Sequence, residues 1–540
     1  MPEEVGLVDP ENKDDKEKLY KEFDDVFENV RSFGTYQRLL YFLTNLICIP
    51  LMAQFSSLVF VMGTPQFRCA TPNTTCPPSK CCDNCTEYVF KGPLKTTVAE
   101  WNLICDRAYL GATLQSCYFV GMLIGSLVGG VLSDLFGRKK CIFFFSAFLT
   151  VFGGASSFVH HPVAFAVLRV FVGISLTSVM LTQFVYVMEI VGPRYRTMAS
   201  NVMDIFWYGG ACFLILFAYL LPAWRWLSLV YTLPIALILP FWPWIPETPR
   251  WLAANGSLDE AHRILMKFGG SKGKSLDSAQ LRALLDQIRQ DQIERIVKAK
   301  KDTPVDMFRT SKMRKFSLIV CLHWFVTALL GFGIFLFIMQ LAGNIYINYF
   351  IMRFLTLLRV FLSWLLYAKF GRRLVFGGFM TGAGVICLIV LAIYQDYPLV
   401  TTGIAIAVKI MIDCNWAGIY LMTSEVFPTV LRNTAMGMGS CSARIAAILA
   451  PYIVMTGQLP GLSLALPVTI FGVCAIVGGI ATYWLPETLF APMRQTVEEA
   501  DAADDDYRLV CWGKPLTRKG DPKTAQVKES EGYSKVPLDC

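Results

Sequence analysis

Charged residues are scarce in this 540-residue chain. They make up 17% of it, whereas 54% of the residues are hydrophobic and the mean hydropathy is +0.47. Runs of about twenty apolar residues recur along the chain, and each is long enough to cross roughly 30 Å of hydrocarbon as a helix. The composition therefore excludes a soluble protein and predicts an all-α membrane protein.

Histidine is also rare, and no ATP-binding loop is present. The chain has four histidines, and none of their spacings suits a zinc hydrolase. The segment 273–275 (Gly-Lys-Ser) ends like a phosphate-binding loop, but Phe268 stands where such a loop needs its first glycine. We therefore predict no metal site, no cofactor, no enzyme activity and no direct pumping by ATP.

The apolar runs predict twelve membrane spans in two sets of six. The first set covers 39–62, 109–133, 141–159, 163–190, 198–221 and 224–245, and the second covers 316–339, 343–366, 374–394, 400–424, 434–456 and 463–485. The predicted domains are an N-terminal segment 1–38, a first half 39–245 with a loop 63–107, a helical stretch 246–315, a second half 316–485 and a tail 486–540.

Positive charges mark one side of the membrane. Lys and Arg follow the even-numbered spans and fill the stretch 246–315, whereas the connections 160–162, 395–399 and 457–462 carry none. The positive-inside rule places both termini and the central stretch in the cytoplasm. This placement, rather than a nucleic-acid partner, explains the net charge of +8. We expect a multi-pass protein of the plasma membrane that is surrounded by lipid.

The loop 63–107 then lies outside the cell. It holds an even number of cysteines, consistent with three disulfides in an oxidising compartment, although the pairing is left open. The cysteines are Cys69, Cys76, Cys81, Cys82, Cys85 and Cys105. Two glycosylation sequons, at Asn73 and Asn84, support the same placement.

Two motifs recur at an offset of six spans. Gly130–Lys140 follows the second span and Phe370–Arg373 follows the eighth, while Glu189–Arg196 ends the fourth and Glu425–Arg432 ends the tenth. Such an offset indicates a duplicated half and predicts a cavity that opens alternately to each side. The second copy of the first motif has no counterpart of Asp134.

The run Gly130–Lys140 resembles the loop motif of the major facilitator superfamily. Other segments are similar to its organic-ion branch, solute carrier family 22, which includes organic cation, carnitine and organic anion transporters. These segments are Trp101–Asp106, Pro246–Leu252, Ser424–Arg432 and Leu485–Thr488. The resemblance spans about 34–491 and implies the major facilitator fold, with about twelve transmembrane helices in two six-helix halves.

The resemblance also implies a secondary transporter or facilitator of small organic ions. A zwitterion such as carnitine or an organic cation is the first interpretation, and an organic anion is the alternative. Sodium and protons are the candidate coupling ions. The sequence shows no alkali-ion site, so it does not choose between sodium, protons and exchange. A non-transporting receptor or sensor is the alternative from another class, but it leaves the duplicated motifs without a role.

Charged residues in the repeated motifs predict a gate on the cytoplasmic side, because charge pairs at a membrane edge can join two helices in one state and part in another. They are Asp134, Arg138, Glu189, Arg372, Glu425 and Arg432. The alternative is that the basic members only set orientation and bind lipid headgroups. Separately, Lys409 and Asp413 are four residues apart in the tenth span and predict an intramembrane ion pair.

Arg444 lies in the middle of the eleventh span. The resemblance implies an aspartate here in strict cation carriers and an arginine in anion and carnitine carriers. Because a guanidinium can bind a carboxylate through two hydrogen bonds, Arg444 predicts an anionic or zwitterionic substrate, with a packing role as the alternative. Ring faces and a carboxylate could hold an ammonium group. Our candidates for that contact are Trp324, Phe332, Tyr420, Tyr186 and Asp204.

Overall fold

A computed structural model of the chain describes its core from residue 23 to residue 502. The gaps in the described range are 71–78, 83–84, 86, 270–277, 299–303, 339–340, 394–395, 461, 463–464, 490–493 and 495–496. The described residues are predominantly helical. Two short antiparallel strands, β1 (Phe67–Cys69) and β2 (Tyr88–Phe90), pair within the loop after the first membrane helix.

Six apolar helices form the first half. They are α1 (Thr35–Phe60), α2 (Ala108–Phe136), α3 (Arg138–Ser156), α4 (Pro162–Ile190), α5 (Pro193–Leu220) and α6 (Trp224–Phe241). Helix α1 is interrupted at residues 46–47, and α6 tightens into a 3₁₀-helix over Leu233–Phe241. Pro240 lies inside this 3₁₀ segment, where its missing N–H and fixed φ disfavour a regular α-helix.

Six further helices form the second half. They are α7 (Ser311–Phe337), α8 (Ile345–Lys369), α9 (Arg372–Ile393), α10 (Pro398–Val426), α11 (Thr429–Thr456) and α12 (Leu466–Thr482). Eleven of the helices are long and apolar enough to cross a membrane, and α12 is a shorter apolar helix of 17 residues. The structure therefore agrees with the prediction of about twelve membrane helices.

The two halves repeat the same helix packing. In the first half, α1 packs on α5, α2 packs on α4, and α3 packs on α6. In the second half, the equivalent pairs are α7 with α11, α8 with α10, and α9 with α12. Between the halves, α2 contacts α11, and α8 contacts α5. These two contacts are equivalent, because α8 is the counterpart of α2 and α11 is the counterpart of α5. The internal repeat read from the motifs is thus a repeat of tertiary structure.

We call the end of the bundle that carries the cysteine-containing loop the loop face, and the opposite end, next to the helices between α6 and α7, the basic face. The halves are joined near the loop face. Ser116 of α2 donates a hydrogen bond to the carbonyl of Ile448 on α11 (2.7 Å), and the hydroxyls of Thr113 and Tyr452 are 3.1 Å apart. On the other side of the bundle, Tyr346 of α8 donates to the carbonyl of Ala218 on α5 (3.3 Å).

Disulfides tie down the loop between α1 and α2. Cys69 is bonded to Cys85 and Cys81 to Cys105, and Cys82 is also disulfide-bonded. Backbone hydrogen bonding joins this loop to the second half, because the amide of Cys81 donates to the carbonyl of Gln458 (3.2 Å). The predicted positions Asn73, Cys76 and Asn84 lie outside the described residues.

Helices also cover the basic face. They are Pro249–Ala254, Leu258–Gly269 and Ser278–Lys298, followed by a 3₁₀ turn at Pro304–Phe308. A short segment before α1 is held there as well, since Asp24 accepts two hydrogen bonds from Arg196 at the start of α5 (2.7 and 2.6 Å). These bonds hold the pKa of Asp24 below its usual value, so the ion pair is present at neutral pH.

Candidate functional site

A cavity of 290 Å³ lies between α1, α7, α8 and α10. Four aromatic rings form part of its wall: Phe55, Phe332, Phe335 and Trp416. Their faces offer an apolar surface that can also attract a cation. The hydroxyl of Tyr349 donates to Ser56 (2.8 Å) on the loop-face side of this cavity, so contacts between the halves separate the cavity from the loop face.

The opposite wall is polar and centres on Asp413. Its carboxylate forms an ion pair with Lys409 and accepts a hydrogen bond from Thr356 of α8 (3.1 Å). Arg359 donates to the backbone carbonyl of Asp413 (2.5 Å), and Arg353 donates to the hydroxyl of Tyr349 (3.1 Å). The ion pair that was predicted from the four-residue spacing of Lys409 and Asp413 is thus present in the structure.

The cavity wall carries an excess of positive charge. Its lining includes three cations, Arg353, Arg359 and Lys409, and a single carboxylate, that of Asp413. Asp204 of α5 interacts electrostatically with Arg359 from across the interface between the halves. Even with Asp204 counted, the cations outnumber the carboxylates. An anionic group on a ligand is therefore attracted to this region.

Arg444 adds a further cation near this cavity. It is partly exposed on α11, and within the described ranges of the chain it makes neither a hydrogen bond nor an ion pair. The hydroxyls of Tyr118 and Tyr420 are its electrostatic neighbours. Tyr420 lies one helical turn beyond the cavity-lining Trp416 on α10. Arg444 is not among the described residues that line the cavity, and its neighbour Tyr420 connects it to the aromatic wall.

The structure divides the predicted aromatic contacts into two groups. Phe332 lines the cavity, and Tyr420, beside Arg444, is a residue that is 52% exposed. Trp324 is buried instead, with its Nε1 donating to Thr423 (3.1 Å) and its ring 4.8 Å from that of Tyr420. We therefore correct Trp324 from a substrate contact to a residue that positions Tyr420.

Tyr186 needs the same correction. Its side chain is fully buried within the first half, and its hydroxyl donates to the carbonyl of Pro246 at the basic face (3.0 Å). The sequence could not separate these aromatic residues, because a ring that faces a cavity and a ring that packs between helices follow the same helical spacing.

The predicted gate residues of the first half form one connected cluster at the basic face. Arg138 pairs with Asp134 (2.9 Å) and with Glu189 (3.0 Å). The hydroxyl of Thr248 donates to Glu189 (2.6 Å), and Glu247 accepts hydrogen bonds from the first two backbone N–H groups of α3 (3.0 and 3.1 Å). Burial raises the pKa of Glu247, and these backbone hydrogen bonds act in the opposite direction.

The second half repeats the cluster. Arg372 pairs with Glu425 (3.4 Å), and Thr488 donates to Glu425 (2.6 Å). Glu487 accepts from the first two backbone N–H groups of α9, those of Arg372 (2.9 Å) and Arg373 (3.2 Å). Arg432 lies in the first turn of α11. Asp134 is thus the member of the first cluster that has no acidic counterpart in the second.

Sequence reasoning missed four members of these clusters, namely Glu247, Thr248, Glu487 and Thr488. The signal was the tripeptide Pro-Glu-Thr, which follows the sixth span at 246–248 and the twelfth at 486–488. Its glutamate satisfies free N–H groups at a helix start, where a negative charge is also favoured by the helix dipole. Gly137, at φ +102°, permits the close approach, since a Cβ there would lie 2.2 Å from the Glu247 carboxylate.

The carboxylate of Asp134 pairs within its own half and is 74% exposed. The described contacts of Glu189 and Glu425 also stay within their own halves. At the loop face, by contrast, direct hydrogen bonds join α2 to α11 and α5 to α8. Among the described contacts, Asp134, Glu189 and Glu425 therefore do not join the two halves at the basic face.

Residues 70–500 match the model of the family described as sugar (and other) transporter. The organic cation transporter protein of Drosophila melanogaster is 30% identical, over 89% of this chain and 94% of that protein. Solute carrier family 22 member 4 of Mus musculus is 29% identical, over 89% and 94%. Organic anion transporter 3 of Oryctolagus cuniculus is 28% identical, over 89% and 93%.

Solved structures of the same fold include the xylose transporter XylE from E. coli in an inward-open conformation. Its TM-score is 0.60 at 17% identity, over 86% of this chain and 98% of that chain. XylE bound to 6-bromo-6-deoxy-D-glucose, described as a major facilitator superfamily protein, gives 0.54 at 17% identity over 86% and 98%. The matched proteins are transporters rather than enzymes. This chain therefore belongs to the sugar (and other) transporter family of the major facilitator superfamily, in its solute carrier family 22 branch.

Proposed function

We propose that this protein moves small organic ions that bear a carboxylate across the plasma membrane by alternating access. A zwitterion such as carnitine is the first candidate substrate, and an organic anion is the second. The observation that supports the carboxylate is Arg444, a cation inside the bundle with no hydrogen bond or ion pair among the described residues. A charge inside a membrane protein is costly unless it is paired, so Arg444 suits an anionic ligand.

The substrate lies with its carboxylate on Arg444 and the rest of the molecule against the rings of Tyr420, Trp416 and Phe332. Two features favour a zwitterion over a simple anion. The ring faces attract a quaternary ammonium group, and Asp204 adds a carboxylate on the facing helix α5. A cation without a carboxylate is the weakest candidate, because it meets an excess of cations around the cavity.

The two halves rock about this cavity. The basic face is cytoplasmic and the loop face is extracellular, as the distribution of Lys and Arg and the disulfide-bonded loop both favour. The present state then opens toward the cytoplasm. Asp134, exposed here, joins the two halves in the opposite state. A gradient of sodium or protons is the candidate driving force, tested by removing sodium and by clamping the external pH.

Uptake into cells tests this function. Radiolabelled carnitine, benzoate and tetraethylammonium are offered separately to cells expressing the wild-type chain, Arg444→Ala, Arg444→Lys or Arg309→Ala. We expect Arg444→Ala to lower carboxylate uptake at least about tenfold, which corresponds to about 1.4 kcal/mol. Arg444→Lys keeps the charge but loses the two-point contact, so an intermediate rate is expected. Arg309 is exposed on the basic face and serves as the control.

Surface biotinylation normalises these rates to the amount of protein in the membrane. An equal loss of carnitine and tetraethylammonium uptake in Arg444→Ala contradicts the role of Arg444 as a carboxylate ligand and assigns it to structure. If the surface-localised wild type moves none of the three solutes, the transport proposal fails, and a receptor or sensor becomes the better interpretation.

A further inference from the structure

A second, larger cavity lies outside the transport path at the basic face. Its volume is 620 Å³, and it is bounded by the start of α1, the end of α6 and the helix Leu258–Gly269. We call it the interfacial groove, because it lies where α1 and α6 leave the apolar part of the bundle. The gate clusters and the central cavity make no use of this space, so it needs a separate explanation.

One wall of the interfacial groove is basic. Lys139, Arg263 and Lys267 all line it, and Glu260 is the single carboxylate in the lining. Arg263 and Lys267 are exposed and one turn apart on the same helix, and neither has a hydrogen bond or ion pair to another described residue. Lys139 lies over the ring of Trp242 at 4.5 Å. Lys139 has Glu247 and Glu260 as electrostatic neighbours, so Arg263 and Lys267 are the two cations of this wall that no described residue pairs.

The other wall is apolar and faces outward from the bundle. It includes Leu39 and Leu43 from α1, Phe241 at the end of α6, and Trp244 just after α6. Leu39 is 60% exposed and Trp244 is 64% exposed. Tryptophan at the end of a membrane helix is typical of the boundary between hydrocarbon and headgroups. This wall therefore lies at the depth where acyl chains begin.

We propose that the interfacial groove binds an anionic phospholipid. The phosphate-bearing headgroup contacts Lys139, Arg263 and Lys267, and an acyl chain runs along Leu39 and Trp244. The adjacent cationic and apolar walls match the two parts of such a lipid, and charge complementarity selects an anionic headgroup over a zwitterionic one. A soluble phosphate compound would use only the basic wall and would leave the exposed apolar wall uncovered.

The bound lipid also connects two parts of the protein. It bridges the helix Leu258–Gly269 to α1 and α6. Helix α1 already meets this helix through the ring contact of Tyr36 and Phe268 (centroids 6.0 Å apart). Occupancy of the groove thus holds this helix against the first half of the transporter.

Native mass spectrometry of the purified full-length chain tests the proposal. The protein in detergent is titrated with dioctanoyl phosphatidylinositol 4-phosphate, with dioctanoyl phosphatidylcholine, and with the soluble headgroup inositol 1,4-bisphosphate. The variants are Arg263→Gln/Lys267→Gln and the control Arg309→Gln, which removes an exposed cation of the basic face outside the groove. Because Arg263 and Lys267 are exposed and without partners among the described residues, neutralising them should leave the fold intact, as thermal unfolding will verify.

We expect the wild type and Arg309→Gln to bind the anionic lipid with the same affinity, and the double variant to bind it about 10- to 30-fold more weakly, since each lost cation contributes roughly one factor of five. Phosphatidylcholine should bind weakly to every variant. Equal binding of the anionic lipid by the wild type and the double variant overturns the proposal. Equal affinity for the lipid and the soluble headgroup overturns it too, because a soluble anion would then be the ligand.

Discussion

Lys409 and Asp413 bring two opposite charges into the interior of the second half, at the wall of the central cavity. Both side chains are almost completely buried, and Thr356 and Arg359 bind the same aspartate through its carboxylate and its backbone carbonyl. Taking a charge out of water is expensive, and mutual attraction with further hydrogen bonds offsets that cost. Asp413 therefore keeps Lys409 from adding an unpaired charge to a region already rich in cations.

Removing one partner should be worse than removing both. In Asp413→Asn the ammonium of Lys409 is left buried and uncompensated, and we expect the free energy of unfolding to fall by about 3 kcal/mol. The double variant Lys409→Gln/Asp413→Asn leaves no charge and should recover most of that loss. Thermal unfolding of the purified protein in detergent measures both effects. A double variant no more stable than Asp413→Asn would show that the pair is not the main interaction of Asp413.

Helices α2 and α4 cross at close distance, and two glycines of α2 explain why they can. Gly121 and Gly125 face the backbone of α4, and a Cβ would lie 2.1 Å from the carbonyl oxygen of Val170 at the first and 2.4 Å from that of Ile174 at the second. Small residues at a spacing of four let helix backbones meet in a membrane, where dispersion rather than the hydrophobic effect holds helices together.

Alanine substitutions along α2 should separate packing from helix propensity. At Gly125 the added methyl group displaces α4, and we expect a loss of about 1–3 kcal/mol in the free energy of unfolding. At Gly130, on the same helix, nothing lies within 4 Å of the added Cβ. Gly130→Ala should therefore leave stability unchanged or raise it by about 0.5 kcal/mol. Equal thermal unfolding of the two variants would contradict the close crossing.

Equivalent hydrogen bonds are made at the starts of α3 and α9, one set in each half of the protein. In the Pro-Glu-Thr tripeptides 246–248 and 486–488, the glutamate accepts hydrogen bonds from two free N–H groups, and the threonine donates to Glu189 or Glu425, the predicted gate glutamates. The two clusters therefore connect the chain after the last helix of each half to its third and fourth helices. They stabilise each half as a unit, which is what a rocking motion of two halves requires.

Taken as a whole, the molecule is held together at one end. Contacts of α2 with α11 and of α5 with α8 join the halves near the loop face, and the described gate contacts at the basic face stay within each half. If transport proceeds by rocking of the halves, the loop-face contacts must break in every cycle. A covalent bond at this position should then stop transport while leaving the fold intact.

A cross-link between Ser116 and Ile448 tests this motion. Because the Ser116 hydroxyl lies 2.7 Å from the backbone oxygen of Ile448, a cysteine pair at these positions should be close enough to form a disulfide. We expect oxidation of Ser116→Cys/Ile448→Cys to lower uptake at least about tenfold, and dithiothreitol to restore it. Each single cysteine variant controls for the native thiols. A cross-linked protein that transports at the normal rate would rule out separation of the halves at this contact.

Much of this architecture can be predicted from the sequence, because the constraint that the bilayer imposes acts on each segment of the chain separately. A backbone in hydrocarbon must satisfy its own hydrogen bonds, so each long apolar run predicts a helix whatever its neighbours are. The repeated Gly130–Lys140 and Glu189–Arg196 motifs likewise predict two related halves, and the ion pair of Lys409 with Asp413 follows from a spacing of four residues on one helix.

The site itself depends on which helix faces which, and that information is long-range. Trp324 and Phe332 lie on the same helix, yet one is buried behind Tyr420 and the other lines the cavity. Glu247 and Thr248 join the predicted gate residues only because the chain after α6 folds back onto the start of α3. Local periodicity thus determined the helices and their number, whereas the packing of helices distant in sequence determined which side chains share the cavity, the charged clusters of the basic face and the interfacial groove.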